Sequence, residues 1–312
     1  METIIIAGGS GLVGKDLASH FASKGHKVII LSREKRIPTN GIAYAVWDTR
    51  TQTVDAKALE QATVVINLAG AGVADKRWSQ ERKQEILESR VQSGHTLTKA
   101  LTSLPNKVHT FIQASAIGWY GADPVVPNPH PFSEEAPADT EFLGATCKAW
   151  EESIAVLKST SIRTITYRIG IVLSKNGGAF KEFYNPVRFR IVPTLGNGKQ
   201  VVSWIHVKDL VGMIDYAIAS PTVQGVYNAT APAPVNNHTL MSVLGQIACG
   251  SLYIPVPVPS FVLKIMLGEM SIEVLKSATV SDKKILSAGY RFQFPTIDVA
   301  IKELLNKNEP GN

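Results

Sequence analysis

Short runs of β-branched and other apolar residues alternate with amphipathic stretches over the first 170 residues. This alternation is typical of β-α-β units that surround a buried parallel sheet. The apolar runs predict five strands, at Thr3 to Ala7, Lys27 to Ser32, Val64 to Leu68, Thr110 to Ala114 and Arg163 to Ile169. Helical spacing of apolar residues predicts helices at Leu12 to Ser23, Gln80 to Leu104 and Thr146 to Leu157. Because such crossovers are right-handed, we predict an α/β fold with a doubly wound parallel sheet.

The pattern changes in two later parts of the chain. Residues 123–137 are rich in proline, which excludes a helix or a central strand and predicts an irregular loop after a strand. From about Gly177 the alternation weakens into connections rich in glycine and proline. We therefore predict a core over residues 1–172 that returns in part at 201–230. Residues 173–200 and 231–312 are predicted to form a smaller substrate-side region.

Composition narrows the classes of protein that fit this pattern. Hydrophobic residues make up 45% of the 312 residues and charged residues 19%, as in a globular enzyme. The net charge of +6 suits an anionic ligand, and because basic residues are interspersed with acidic ones we expect no nucleic-acid partner. The two cysteines, Cys147 and Cys249, are far apart and in no metal-ligand spacing. We therefore expect no metal site and a reducing compartment.

Neither a membrane span nor a secretion signal is expected. The apolar segment from Phe261 to Leu267 contains Lys264 and is much shorter than the ~20 residues that a spanning helix needs. The predicted first strand begins at Thr3, which leaves no room before it for the basic and apolar parts of a signal peptide. We expect a cytoplasmic protein with a small-molecule substrate; its oligomeric state stays open, with a homodimer as one expectation.

A glycine-rich turn follows the first predicted strand. Its residues are Gly8, Gly9, Ser10, Gly11, Leu12, Val13 and Gly14, which satisfy G-x-G-x-x-G between a strand and a helix. Glycine permits the tight turn and lets backbone N–H groups approach a pyrophosphate, while the helix N-terminus supplies partial positive charge. The sequence therefore predicts a Rossmann domain that binds a nicotinamide dinucleotide.

The end of the second strand indicates which dinucleotide is bound. An NAD site normally has Asp or Glu there to accept a hydrogen bond from the ribose 2′-hydroxyl, whereas this strand continues into Ser32 and Arg33. A guanidinium can hold a 2′-phosphate, and Lys35 and Arg36 are nearby cations. Glu34 leaves a ribose-binding acid as the alternative. We predict NADP(H) in preference to NAD(H).

Two further segments are candidate contacts of the cofactor. Asp48 follows a third apolar run and is placed to accept from the adenine amino group, although an Asp after a strand is also a common turn residue. Leu68, Ala69 and Gly70 end the next predicted strand against the cofactor.

Together these residues resemble the extended, or atypical, short-chain dehydrogenase/reductase superfamily. The resemblance is most specific to its epimerase-family subgroup, which is similar to NAD-dependent epimerases and dehydratases and has a small C-terminal domain of unknown function. It rests on several motifs in fixed order: Asn67 to Gly70, Lys76 to Trp78, Glu88 to Arg90, Ser115 to Gly121, Arg168 to Leu173, Ser203 to Leu210 and Gly289 to Phe292. The resemblance implies an NADP-binding Rossmann fold and places the small domain at about residues 250–305.

The resemblance also implies a catalytic set, from which this chain departs. Superfamily members use a Tyr in Y-x-x-x-K as acid/base, a Lys that contacts ribose, and a Ser or Thr that aligns the substrate oxygen. Here Lys148 matches the Lys, but Gly144 stands at the Tyr position. Ser115 is the candidate aligning hydroxyl, one place early relative to Gly121, and Tyr120 is the nearby phenol available as a substitute acid/base.

Candidate substrate contacts come from two regions. Arg77 and Trp78 precede the long middle helix and suit an anionic substrate that can also stack, and Arg90 on that helix faces the cofactor position by family analogy. Salt bridges to Glu81 or Glu85 are the alternative for the arginines. Trp204 falls in a predicted substrate-side strand, where we assign His206 no role in proton transfer.

These residues favour an NADP(H)-dependent oxidoreductase that acts on a small anionic or nucleotide-linked carbonyl or alcohol. Gly144 motivates a second hypothesis, an NADP(H)-binding sensor or regulatory protein without turnover. Epimerase or dehydratase chemistry on a sugar nucleotide, with a tightly held cofactor, is a third.

Overall fold

A computed structural model describes residues 1–306 of the chain. Its strands are β1 (Thr3–Ala7), β2 (Lys27–Ser32), β3 (Ile42–Asp48), β4 (Thr53–Val54), β5 (Val64–Asn67), β6 (Thr110–Ala116), β7 (Arg163–Ile169), β8 (Ile171–Leu173), β9 (Ile191–Leu195), β10 (Val201–Val202), β11 (Trp204–His206), β12 (Gly225–Ala229), β13 (Val235–Asn236) and β14 (Ile254–Val258). Its helices are α1 (Leu12–Ser23), α2 (Ala56–Gln61), α3 (Gln80–Ser103), α4 (Phe142–Glu152), α5 (Gly178–Val187), α6 (Val207–Ala219), α7 (Asn237–Cys249), α8 (Ser260–Leu267), α9 (Ser271–Leu275), α10 (Lys283–Ser287) and α11 (Ile297–Leu305).

The central sheet has eight strands in the order β4-β3-β2-β1-β5-β6-β7-β12. Strands β3, β2, β1, β5 and β6 are mutually parallel, and β4 runs antiparallel to β3. Chain order therefore reverses between β1 and β5, the crevice at which open α/β sheets bind ligands. The predicted α/β fold class with a doubly wound, mostly parallel sheet is confirmed.

Burial on both faces explains why the inner strands read as continuous apolar runs. Ile4, Ile5 and Ile6 of β1 are all completely buried, as parallel strands covered by helices require. Leu17 and Phe21 are buried residues of α1, four positions apart and thus on one face of the helix. Each such side chain contributes about 1.5–3 kcal/mol by leaving water, which fixes the turn between β1 and α1 in place.

Most predicted boundaries are confirmed and one helix is corrected. Strands β1, β2 and β7 and helix α1 have the predicted bounds, and Ser79 caps α3 by accepting from the Arg82 N–H. The helix predicted at Thr146 to Leu157 begins earlier, at Phe142, and ends at Glu152. A short 3₁₀ helix, Ala155–Ser159, follows it with Leu157 buried, so two helices share what reads as one apolar stripe.

The chain divides into two compact units. The first comprises residues 1–119, 137–168 and 211–227, and the second comprises residues 120–136, 169–210 and 228–312. The second unit contains three two-stranded sheets, β9 with β14, β8 with β11 and β10 with β13. The domain ranges proposed from the sequence stay a prediction, and residues 307–312 of the range 231–312 lie outside the described residues.

Two buried aspartates organise the second unit. Asp123 of the proline-rich loop accepts hydrogen bonds from the side chains of Asn128, Ser277 and Thr279 and from the Thr279 N–H. Asp209 accepts from the Tyr290 hydroxyl and from the N–H groups of Gln293 and Phe294. The loop is thus irregular, as predicted, and the hydrogen bonds of the Asp123 carboxylate hold it in a fixed position.

Candidate functional site

The glycine-rich turn between β1 and α1 depends on glycine for steric reasons. Gly8 has φ +81°, and a Cβ there would lie 2.8 Å from the carbonyl carbon of Leu68. A Cβ on Gly14 would lie 2.3 Å from the Gly8 carbonyl oxygen, and one on Gly9 would lie 2.7 Å from the Ile30 side chain. These contacts seat the turn directly against the ends of β2 and β5.

The N-terminus of α1 is open to an anion. Ser10 and Gly11 are exposed, and Gly11 at the N-cap provides no side chain to bond the first N–H groups of the helix. Orphan N–H groups and the helix dipole favour negative charge at this position, next to Leu12 and Val13. The open N-terminus can accept a dinucleotide pyrophosphate, and the cofactor contacts of the seven predicted turn residues stay a prediction.

Exposed cations follow β2. Ser32 is half-buried and its hydroxyl accepts from the Glu34 N–H, while the side chains of Arg33, Lys35 and Arg36 are exposed. The Arg36 guanidinium lies 5.9 Å from the ring centre of Tyr44 on β3. This group of cations can receive a phosphate at the strand end. Asp48 accepts from the Arg50 N–H at 2.7 Å and so serves as a turn residue in this structure.

The segment after β5 rests on Arg90 of α3. A Cβ on Gly70 would lie 3.0 Å from the Arg90 side chain, whose Nη1 donates to the carbonyl oxygens of Ala71 and Ile86 at 2.9 Å. The guanidinium also lies 5.0 Å from the ring centre of Trp150. Arg90 therefore holds the backbone after Leu68, Ala69 and Gly70 in position. Its own contact with a cofactor stays a prediction.

A buried polar network joins the end of β6 to α4 and β7. The Ser115 hydroxyl lies 2.7 Å from Glu151 Oε1, and Arg168 donates to the same carboxylate through Nε at 2.9 Å and Nη2 at 3.1 Å. Arg168 is 3% exposed, and its guanidinium lies 3.5 Å from the ring centre of Trp119. Ser115 is the donor in this hydrogen bond, so only its lone pairs remain for another group.

Adjacent residues of α4 point in different directions. The thiol of Cys147 donates to the Ala116 carbonyl oxygen at 3.6 Å, at the end of β6. Burial raises the pKa of this thiol to about 11, so it is neutral at pH 7. Lys148 is 59% exposed, with its Nζ 4.0 Å from Glu152. The ribose contact predicted for Lys148 stays a prediction.

The place that a catalytic Tyr would need on α4 is filled by backbone. Gly144 is buried, and a Cβ there would lie 2.2 Å from the Asp139 carbonyl oxygen. Tyr120, the predicted substitute, is completely buried in the second unit. Its hydroxyl donates to Asn228 at 2.6 Å, and its ring stacks on Phe132. The place of the missing phenol is thus taken by a close approach of the chain.

The predicted substrate contacts differ in exposure. Arg77 is exposed before α3, where it can meet an anion. Trp78 donates from Nε1 to the Val73 carbonyl oxygen at 2.9 Å and packs edge-on against Phe142. Trp204 is completely buried in the second unit and donates to the Ala233 carbonyl oxygen. This burial gives Trp204 a packing role and leaves none of its side chain accessible to a substrate.

Sequence reasoning missed Glu151 and Trp119 as partners of Ser115 and Arg168. Arg168 begins one of the family motifs, Arg168 to Leu173. No spacing in the sequence predicts that this strand residue pairs with Glu151, a helix residue 17 positions earlier. The signal that was available is chemical, since an Arg inside an otherwise apolar strand needs a buried carboxylate.

Two family models match successive parts of the chain. The sequence model of the NAD dependent epimerase/dehydratase family matches residues 4–230, and a domain of unknown function, DUF1731, matches residues 258–304. Epimerase family protein YfhF of Bacillus subtilis is 33% identical over 304 residues, 97% of each chain. The crystal structure of human epimerase family protein SDR39U1 with NADPH is 27% identical, has a TM-score of 0.85, and aligns over 97% of this chain and 98% of that one.

A more distant structure shares the fold alone. UDP-N-acetylglucosamine 4-epimerase from Bacillus cereus is 16% identical with a TM-score of 0.76, over 97% of this chain and 98% of its own. Across residues 1–306, none of the helices is both long enough and apolar enough to cross a membrane.

Proposed function

The chain belongs to the NAD dependent epimerase/dehydratase family, and we propose that it is an NADP(H)-binding oxidoreductase acting on a small anionic or nucleotide-linked carbonyl or alcohol. The observation that carries the proposal is the open N-terminus of α1 beside the cations that follow β2. The first can bind a pyrophosphate and the second a 2′-phosphate.

The preference for NADP(H) rests on charge at the end of β2. Ser32 and Arg33 occupy the position at which an NAD site normally presents a carboxylate. Arg33 is exposed and can bind a phosphate in bidentate fashion. A relative with 27% identity was crystallised with NADPH, which supports the same choice here.

The nicotinamide supplies or accepts hydride when the cofactor is bound. Ser115 has committed its hydrogen to Glu151, so its oxygen is suited to accept a hydrogen bond from a substrate hydroxyl. We assign proton transfer to water, because the Tyr120 hydroxyl already donates to Asn228 and the place at Gly144 is filled. Arg77 is the candidate contact for an anionic group of the substrate.

A binding protein without turnover is the second candidate, and one observation favours it. Backbone fills the place of the usual acid/base on α4. Of the titratable groups of that helix near Ser115, Glu151 is held by Arg168, and burial raises the pKa of the Cys147 thiol to about 11. In this case NADP(H) occupancy would set the state of a surface that a partner reads.

Calorimetric titration with NADPH and NADH tests the proposal without a known substrate. We expect NADPH to bind at least about tenfold more tightly than NADH, equivalent to about 1.4 kcal/mol. Arg33→Ala should remove this preference by weakening NADPH alone, because NADH has no 2′-phosphate.

Lys158→Ala, which removes an exposed cation elsewhere in the same unit, is the matched control and should bind both nucleotides as the native chain does. Binding of neither nucleotide, or equal binding that Arg33→Ala leaves unchanged, would overturn the cofactor assignment. Loss of NADPH absorbance with any of a panel of small aldehydes and ketones then separates the oxidoreductase from the binding protein.

A further inference from the structure

The dipeptide Asn-Gly occurs three times in the sequence, at Asn40-Gly41, Asn176-Gly177 and Asn197-Gly198. Asparagine is chemically labile in this context, because the backbone nitrogen of the following residue can attack the side-chain amide carbon. Glycine favours the attack, since it has no Cβ to shield its nitrogen and its backbone rotates freely. All three asparagines are exposed to solvent, so exposure alone does not distinguish them.

Asn40 and Gly41 are the two central residues of a tight turn before β3. Thr39 and Ile42 form the ends of the turn, and each donates its N–H to the carbonyl oxygen of the other, at 3.1 and 2.9 Å. Asn40 has φ +52° and Gly41 has φ +76°, the pair of positive values that defines a type I′ turn. The Gly41 N–H takes part in neither hydrogen bond of the turn, so no bond of the turn holds it away from the Asn40 amide.

The other two dipeptides lie one position later in their turns. Gly198 donates its N–H to the Leu195 carbonyl oxygen at 3.0 Å, and Gly177 donates to the Ser174 carbonyl oxygen at 3.4 Å. In both cases glycine is therefore the fourth residue of the turn, whose N–H closes it. Attack by either nitrogen requires this hydrogen bond to break first.

The space around the glycines differs in the same direction. Ring closure requires the asparagine side chain and the next peptide group to rotate toward each other. A Cβ on Gly41 would meet nothing within 4 Å, whereas one on the buried Gly198 would lie 2.5 Å from the Thr194 side chain. The Asn197 side chain is also held, because its Oδ1 accepts from the Lys199 N–H at 3.0 Å.

We propose that Asn40 is a site of spontaneous deamidation in the folded chain. The Gly41 nitrogen loses its proton to water and bonds to Cγ of Asn40, and the Cγ–Nδ2 bond breaks to release ammonia. Water then opens the five-membered succinimide. Its attack at Cγ restores the ordinary backbone as aspartate, and its attack at the main-chain carbonyl leaves the chain linked through Cγ as isoaspartate. Either product carries one new carboxylate, which lowers the net charge of +6 by one.

The reactive turn lies at the opposite end of the sheet from the proposed cofactor site. Ile42 pairs with Val28 near the start of β2, whereas Ser32 and the cations after it are at the end of that strand. The rise along the strand from Val28 to Ser32 is about 13 Å. Exposed charges are largely screened over more than a Debye length, so deamidation should leave NADPH affinity unchanged. The inference therefore does not depend on the proposed function.

Peptide mapping by mass spectrometry tests this site after incubation of the purified chain in mildly alkaline buffer. The mass of each peptide reports deamidation at each dipeptide, and an isoaspartate-specific methyltransferase labels the isoaspartate product. We expect Asn40 to react at least about fivefold faster than Asn176 and Asn197, the size of effect that one backbone hydrogen bond has on a rate. In guanidinium chloride the three positions should react at similar rates, because the turns are absent.

Asn40→Gly removes the reactive amide and keeps a residue that adopts positive φ, so the folded variant should form acidic species far more slowly on ion-exchange chromatography. Asn197→Gly is the matched control and should form them at the native rate. Equal rates at Asn40 and at either other asparagine in the folded chain overturn the proposal. A fivefold preference for Asn40 that persists in the unfolded chain also overturns it, because the preference would then come from local sequence and not from the turn.

Discussion

Glu151 is the side chain on which the polar network of the first unit depends. It accepts from Ser115 and from two nitrogens of Arg168, and 13% of its side chain is exposed. Glu151→Gln leaves the buried Arg168 guanidinium without a counter-charge, which we expect to cost roughly 3 kcal/mol. The measurement is thermal unfolding, in which the melting temperature should fall by roughly 5 °C.

The neighbouring residue provides the control for this prediction. Glu152→Gln removes a carboxylate that is 64% exposed and 4.0 Å from Lys148, so its effect should stay below about 0.5 kcal/mol. Equal melting temperatures for the two variants would mean that Glu151 and Arg168 do not form a buried ion pair.

Glu151 and Lys148 show which features of the site could not be predicted from the sequence. Turn glycines could be predicted because a strand, a G-x-G-x-x-G turn and a helix follow one another locally. Lys148 could be assigned a ribose contact only from its place in a family motif; its Nζ lies 4.0 Å from Glu152, while Cys147, about 100° around the helix, takes the inward direction. Which of these two side chains faces the protein interior depends on how α4 packs against its neighbours. No local sequence pattern predicts that packing.

At Gly144, helix α4 lies so close to the preceding segment of the chain that only glycine fits. In an ordinary helix interior, Gly→Ala stabilises by about 1 kcal/mol. At Gly144 the added Cβ would meet the Asp139 carbonyl oxygen at 2.2 Å, so we expect Gly144→Ala to destabilise by roughly 1–3 kcal/mol. Denaturant unfolding monitored by circular dichroism measures the change.

Ala145→Gly is the companion variant, because Ala145 is exposed on the same helix and should lose about 1 kcal/mol by propensity alone. If Gly144→Ala were instead more stable than the native chain, the place of the absent phenol would be open, and a tyrosine could be restored there.

Secondary structure could be predicted from sequence where the spacing of apolar residues matches the faces of the element that are buried. Strands β1 and β2 are apolar because both faces are covered, and their bounds follow directly from the run of apolar residues. The stripe from Thr146 to Leu157 was interpreted as one helix because its apolar spacing continues into the 3₁₀ helix that follows α4. The short strands of the second unit pair over only two to five residues, too few for a periodic signal.

The stability of the whole chain should depend on pH through the second unit. His206 is completely buried, and its Nε2 lies 2.7 Å from Glu303 of α11, while its Nδ1 accepts from the Lys208 N–H. This places the proton on Nε2 and makes the ring neutral. Burial lowers the pKa of His206, against the raising influence of Glu303 and Asp209. Lys208 Nζ completes the group at 2.7 Å from Glu303.

The sign of the effect follows from that direction. A histidine whose pKa is lower in the folded than in the unfolded chain contributes stability that is fully present above its unfolded pKa of about 6.5. This contribution is lost as the pH falls from there through the folded pKa, because the unfolded chain takes up the proton first. Burial raises the pKa of Asp209, which restores part of the loss only when that carboxyl becomes protonated at lower pH. The window for His206 therefore opens just below pH 6.5.

We expect His206→Gln, which can still donate to Glu303, to destabilise the chain more at pH 7.5 than at pH 5.5. The free energy of unfolding of both proteins, measured by urea denaturation at each pH, gives this difference, and the titration of every other histidine cancels between them. A cost of His206→Gln that is larger at pH 5.5 than at pH 7.5 would mean that the ring is protonated in the fold, with Glu303 as its ion-pair partner, and an equal cost would mean that folding leaves its pKa unchanged.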